Sequence, residues 1–116
     1  MEDQRYGNHQ LFLKRLMIEL QREFVEARFF QQHVGLFKTM TGNPIKIGIE
    51  GQADLSSIFG PIGKRIEIEV KTGTGRQTEA QHRWQRMIEK HGGIYILARD
   101  IEQVKEEIKN GLYRNR

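Results

Sequence analysis

The chain has 116 residues, enough for one domain around one modest core. Its 37% hydrophobic and 29% charged residues describe a folded chain, and no apolar run approaches the ~18 residues that a membrane span needs. Nineteen Lys and Arg against fifteen Asp and Glu leave a charge of +4, which permits a polyanionic partner; the absence of cysteine excludes disulfides, thiolate zinc sites, iron–sulfur clusters and cysteine nucleophiles.

From Gln10 to Val34 there is no Gly or Pro, and the stretch predicts one long helix, capped by Asn8 and ended by Gly35. Leu13, Leu16, Met17, Leu20, Phe24, Ala27, Gln31 and Val34 form one stripe at helical spacing. Leu11, Ile18, Val25 and Phe29 form a second stripe on nearly the opposite side, so this helix is expected to be sandwiched. Leu36–Met40 reads as a short strand, Thr41–Pro44 as a turn, and Ile45–Gly51 as a short strand or an irregular loop. Ala53–Phe59 and Arg65–Lys71 read as strands joined by the hairpin signal Gly60-Pro61-Ile62-Gly63-Lys64. A polar, Gly-rich loop over 72–77 follows. A helix then starts at Thr78, runs to about His91 and is closed by Gly92-Gly93. Ile94–Ala98 is apolar enough for a strand covered on both faces. Asp100 caps a last helix from Ile101 to Asn110, and a basic tail ends in Arg114 and Arg116. The expected order is α-β-β-β-α-β-α: an α/β fold with a mixed β-sheet flanked by helices, in a single domain over 1–116.

One constellation carries chemistry. Alternation puts Glu69 and Lys71 on one face of their strand, and the hairpin can bring Asp54 beside them. Two carboxylates at the end of a strand pair are the oxygen donors that a hard divalent cation takes, and the carbonyl of Val70 could add a third. Lys71 would polarise a water there and stabilise charge developing on a phosphate. An E-x-K pair on a strand is, taken alone, more often an ion-paired surface feature, and an Asp near a Gly more often a turn residue. Thr78 and Gln81 make a capping box, so Gln81 reads as closing the helix N-terminus. Glu67 shares the face of Glu69 and reads as solvated or as supporting the site. His9, His33, His82 and His91 have no shared ligand spacing; His82 is near enough to touch DNA or handle a proton, with an exposed helix position as the plainer account. Trp84 and Met87 read as core. Gly73-x-Gly75 is not a dinucleotide fingerprint, although its amides can approach a phosphate. Lys64 and Arg76 are the best candidates for phosphate contacts, followed by Arg83 and Lys38.

The runs Gly51-Gln52-Ala53-Asp54-Leu55, Ile66-Glu67-Ile68-Glu69-Val70-Lys71-Thr72-Gly73 and Thr78-Glu79-Ala80-Gln81-His82-Arg83-Trp84, with Gly92-Gly93-Ile94-Tyr95-Ile96-Leu97 after them, resemble the PD-(D/E)xK nuclease superfamily and, within it, the VRR-NUC (virus-type replication–repair nuclease) family. The resemblance spans about Glu19 to Ala98. Ala53 stands where that family commonly has a proline, which removes no chemical group. The resemblance implies a restriction-endonuclease-like core and an Mg2+-dependent endodeoxyribonuclease, with Mn2+ as a substitute. It makes Asp54 and Glu69 metal ligands together with the Val70 carbonyl, Lys71 the residue that polarises the attacking water, and Gln81 the glutamine of the site. It also implies an acidic residue on the first helix, for which Glu19 fits best and Glu23 is the alternative. The expected substrate is branched DNA such as four-way (Holliday) junctions. The expected assembly is a homodimer, with Phe12, Phe29 and Phe30 as candidate contacts. The acidic start Met1-Glu2-Asp3-Gln4 lacks the character of a secretion signal, so a cytoplasmic setting, bacterial or phage-infected, is expected. A non-catalytic DNA-binding or nuclease-like accessory module is the alternative, and a sequence-specific restriction nuclease a third.

Overall fold

The computed structural model describes residues 2–114, with side chains described from Asn8 to Tyr113. The elements run α1 (Glu2–Glu23), β1 (Ala27–Gln31), β2 (Gly35–Lys38), β3 (Pro44–Ile47), β4 (Leu55–Phe59), β5 (Lys64–Val70), α2 (Glu79–Lys90), β6 (Ile94–Ala98) and α3 (Ile101–Arg114). The order is therefore α-β-β-β-β-β-α-β-α: β3 is the strand allowed for within Ile45–Gly51, and β1 is the one not expected from sequence.

The first correction concerns α1. The helix begins before Asn8, which lies inside it, and stops at Glu23 instead of continuing to Val34. Leu13, Leu16 and Leu20 are its buried stripe, at three- and four-residue steps. After one turn at Val25-Glu26 the chain reverses into β1. There Ala27 and Phe29 are buried while Arg28 and Phe30 face out, a period of two. Leu20, Phe24, Ala27 and Gln31 fit helical spacing equally well, and no Gly or Pro marks the change. The reversal is held by Gln21, whose Nε2 donates to Ala27 O at 2.7 Å and whose Oε1 accepts from Phe29 N at 3.2 Å. These are backbone groups that an edge strand otherwise leaves unpaired. Of the second stripe, Leu11, Ile18 and Val25 are exposed and Phe29 is buried on β1.

The main sheet has the order β1-β4-β5-β6 and is mixed: β1, β4 and β5 are antiparallel neighbours, and β6 runs parallel to β5. The crossover from β5 to β6 contains α2, as a parallel pair requires. One face of the sheet packs on α1 and α3 through Leu55, Phe59, Ile66, Ile68, Val70 and Ile96, with Val104 and Ile108 from α3. Phe59 meets Phe24 and Phe29 edge-on, each with ring centroids 5.6 Å apart. The other face packs on α2 through Ala53, Ile88 and Tyr95, with Trp84 and Leu97 beside them. Met87, expected in the core, is exposed. A separate antiparallel ribbon pairs β2 with β3. Among the described residues no helix is long and apolar enough to cross a membrane. Arg116, the last residue of the expected basic tail, lies outside the described residues, as does the side chain of Arg114.

Candidate active site

The antiparallel register pairs Leu55 with Ile68, so Asp54, just before β4, falls beside the C-terminal end of β5, where Glu69, Val70 and Lys71 lie. Gly51 sets the approach of this segment to α2. Its φ is +94°, and a Cβ there would sit 2.3 Å from the carbonyl oxygen of Ala80, so only glycine fits. Asp54 Oδ2 accepts a hydrogen bond from Val70 N at 2.7 Å, which ties its carboxylate to β5.

Glu69 is buried and points to the α2 side. Gln81 Nε2 donates to Glu69 Oε2 at 3.0 Å, and Lys71 Nζ lies 3.4 Å from the same oxygen. Lys71 also donates to Gln81 Oε1 at 2.9 Å. Gln81 is held in turn by the capping box: Gln81 N donates to Thr78 Oγ1 at 3.1 Å, and Thr78 N donates to Gln81 Oε1 at 2.9 Å. The helix cap and the contact to Glu69 are thus made by one side chain. Glu69 Oε1, in contrast, is buried with no hydrogen-bond partner.

Burial raises the pKa of Asp54; the Val70 N–H and the nearby His9 and Lys71 oppose it. Burial, reinforced by the negative charge of Asp54, pushes Glu69 up to about 7, with Lys71 opposing. Two desolvated carboxylates that disfavour each other's charge are a site short of positive charge. Among the described residues, however, no group of three or more His, Asp or Glu side chains is arranged to hold a metal ion.

Several expectations are corrected here. Glu19 does not reach this site. It lies ten residues, about 15 Å of helix, beyond the turn of α1 that touches Asp54. Its carboxylate pairs with Lys105 at 3.5 Å and Arg22 at 3.6 Å. Glu23 is also engaged elsewhere, with Lys105 at 3.6 Å and Lys109 at 3.5 Å. The α1 residue at the site is His9, whose Nε2 is 3.6 Å from Asp54 Oδ2. Lys64 begins β5 while Val70 ends it, about 20 Å away, and its ammonium donates to Gly92 O at 2.5 Å. Arg76 is exposed in the 71–77 loop, Arg83 lines the cleft in front of Asp54 and Glu69, and Lys38 is exposed at the end of the ribbon strand β2. The cleft has a volume of about 660 Å³ and includes Gln10, Asp54, Glu69 and Gln81 in its walls. His82 is exposed.

Glu67 is not solvated: it is fully buried, one pleat behind Glu69. It accepts from Trp84 Nε1 at 2.8 Å, Gln32 Nε2 at 3.0 Å and Arg65 Nε at 2.8 Å. Gln32 Nε2 also donates to Ala53 O at 3.0 Å, and Gln52 Nε2 donates to Gln32 Oε1 at 2.9 Å. This partly buried network fixes the segment before β4 on which Asp54 follows Ala53. No signal in the chain order joins Gln32, Gln52, Glu67 and Trp84, because they come from four separate segments. In comparison with known proteins, no protein-family model matches the chain and no curated protein matches it.

Proposed function

We propose that the protein is a metal-dependent DNA endonuclease with a restriction-endonuclease-like core of the PD-(D/E)xK type, close to the VRR-NUC nucleases, which hydrolyses phosphodiester bonds in branched DNA such as four-way junctions. The observation that supports it is the meeting of Asp54, Glu69, Lys71 and Gln81 at one end of β5, with Glu69 Oε1 buried and unpartnered. A divalent cation fits that deficit: its preferred donors are carboxylate and carbonyl oxygens, here Asp54, Glu69 and the Val70 carbonyl. Mg2+, or Mn2+ in its place, would supply Lewis-acid stabilisation of charge on a phosphate and lower the pKa of a nearby water.

The chain's own groups divide the remaining work. Val70 N–H fixes one oxygen of Asp54, leaving the other for the ion. Gln81 holds Glu69 Oε2, so that Oε1 is the free ligand atom. Lys71, held by Gln81 Oε1, keeps a positive charge beside Glu69, where it orients the attacking water and offsets negative charge that grows on the phosphate. Symmetric cutting of a four-way junction needs two such sites, hence a homodimer. Of the expected contacts, Phe29 is buried in the core, Phe12 is half-buried against it and Phe30 is exposed. Exposed apolar side chains that such an assembly could cover include Leu11 and Ile18 on α1, Phe30, and Leu36, Phe37, Ile45 and Ile47 of the ribbon.

The test is cleavage of a labelled four-way junction and of a linear duplex in Mg2+, by wild type and Lys71→Ala. Cutting that needs Mg2+ and is lost in the variant supports the enzyme. Binding of both substrates without cutting supports the non-catalytic module instead.

A further inference from the structure

On the other side of α1 from the cleft lies a second groove, of about 480 Å³. Its polar walls are Asn8 and Arg15 from α1, Lys71, Thr72 and Gly73 at the start of the loop, and Arg99 after β6. Three of these are cations, and no acidic residue lines it among the described residues. Arg99 is fixed in place: Nη1 donates to Gly73 O at 3.1 Å and Nη2 to Gly75 O at 3.0 Å. Those acceptors are neutral, so the guanidinium braces the loop while its charge stays uncompensated. No carboxylate among the described residues pairs with Arg15 or Arg99, whereas Lys105 and Lys109 on α3 are both satisfied by glutamates. Lys71 belongs to both places, since it lines the groove and its ammonium touches Glu69 and Gln81. Arg99, held by the loop carbonyls, and exposed Arg15 bring two cations without a carboxylate partner to one groove beside the hydroxyl of Thr72, the chemistry of a phosphate site.

We propose that this groove seats a backbone phosphodiester of the DNA substrate, with Arg15 and Arg99 as its countercharges and Thr72 and Asn8 as polar contacts, so that Lys71 stands between the seated phosphate and the reacting one. The proposal rests on the nuclease reading and adds a subsite to it. Sequence inspection passes over both arginines, because Arg15 lies within the first helix and Arg99 lies 28 residues after Lys71.

Fluorescence anisotropy with a labelled duplex, in EDTA so that nothing is cut, tests it over a salt series. Arg15→Ala on the exposed flank of α1 should weaken binding several-fold and lower the slope of log K against log salt by about one, the signature of one lost phosphate contact. Arg15→Lys should restore most of the slope, and Lys90→Ala, on an exposed α2 position, should leave it unchanged. A wild-type slope in Arg15→Ala, with Mg2+ cleavage still dependent on Lys71, overturns the groove and leaves the nuclease intact. Competition by inorganic phosphate, at matched ionic strength and with no effect of Arg15→Ala on duplex binding, would show a site for free phosphate and overturn the DNA assignment. No binding of duplex by the wild type overturns both.

Discussion

The sharpest physical consequence of the site is a pH dependence of stability in the metal-free protein. Glu69 has a folded pKa of about 7 against an ordinary 4.5. The folded chain therefore holds this proton more tightly than the unfolded chain. The associated stability is fully present below about pH 4.5 and is lost as pH rises through about 7. Between pH 5 and pH 8 that difference amounts to about 2–3 kcal/mol. Urea denaturation in EDTA at both values, for wild type and Glu69→Gln, isolates it. The variant removes the titrating group while keeping the side chain's shape, and Asp54 remains desolvated in both proteins. The wild type should lose about 2–3 kcal/mol more than the variant on going from pH 5 to pH 8. Mg2+ at pH 8 should recover stability in the wild type and not in the variant, because binding to the folded state alone stabilises by mass action. Equal pH dependence in the two proteins would refute the claim that Glu69 is a desolvated carboxylate short of a countercharge.

Four further outcomes are expected. Gly51→Ala would force a Cβ to 2.3 Å from the Ala80 carbonyl oxygen in a left-handed backbone, costing on the order of 3 kcal/mol in denaturation and separating Asp54 from α2. Trp84→Phe keeps the ring against Ala53, Ile88 and Tyr95 but removes a donor to buried Glu67, for a loss of about 1–2 kcal/mol seen as a lower Tm. Glu19→Ala should cleave at the wild-type rate in Mg2+, since its carboxylate is engaged with Lys105 and Arg22; a hundredfold loss would restore the expected role of this residue. Gln81→Ala frees Glu69 Oε2 and Lys71 together and also removes half of the cap, so it should lower cleavage more than Thr78→Ala, which weakens the cap alone.

How far the molecule is legible in its sequence varies by element, for identifiable reasons. The β4–β5 hairpin, α2 and β6 carry strong local signals: a Gly-Pro turn, a Thr cap with Gln three residues later, a closing Gly pair and an unbroken apolar strand. Asp54, Glu69 and Lys71 lie on these well-marked elements, which is why alternation and the hairpin are enough to suggest their meeting, whereas Gln81 joins them only through the family resemblance. The junction of α1 and β1 has no such mark. Val25 to Gln31 satisfies both a period of 3.6 and a period of two, and the choice is made by pairing with β4 and by Gln21, both tertiary. Glu19 is a candidate only through the resemblance, whereas His9 reaches Asp54 because α1 begins before it. The sequence leaves Glu67 open between a solvated and a supporting position because its three donors come from β1–β2, from β5 itself and from α2; only packing assembles them.

The claim on which the rest depends is that the two carboxylates share an ion. Crystals soaked in Mn2+ and measured for anomalous scattering test it most directly. The account predicts a peak at bonding distance, roughly 2.0–2.6 Å, from one oxygen of Asp54 and from Glu69 Oε1, absent in Glu69→Gln. Manganese bound only elsewhere, or no peak at all with both carboxylates ordered, would contradict it.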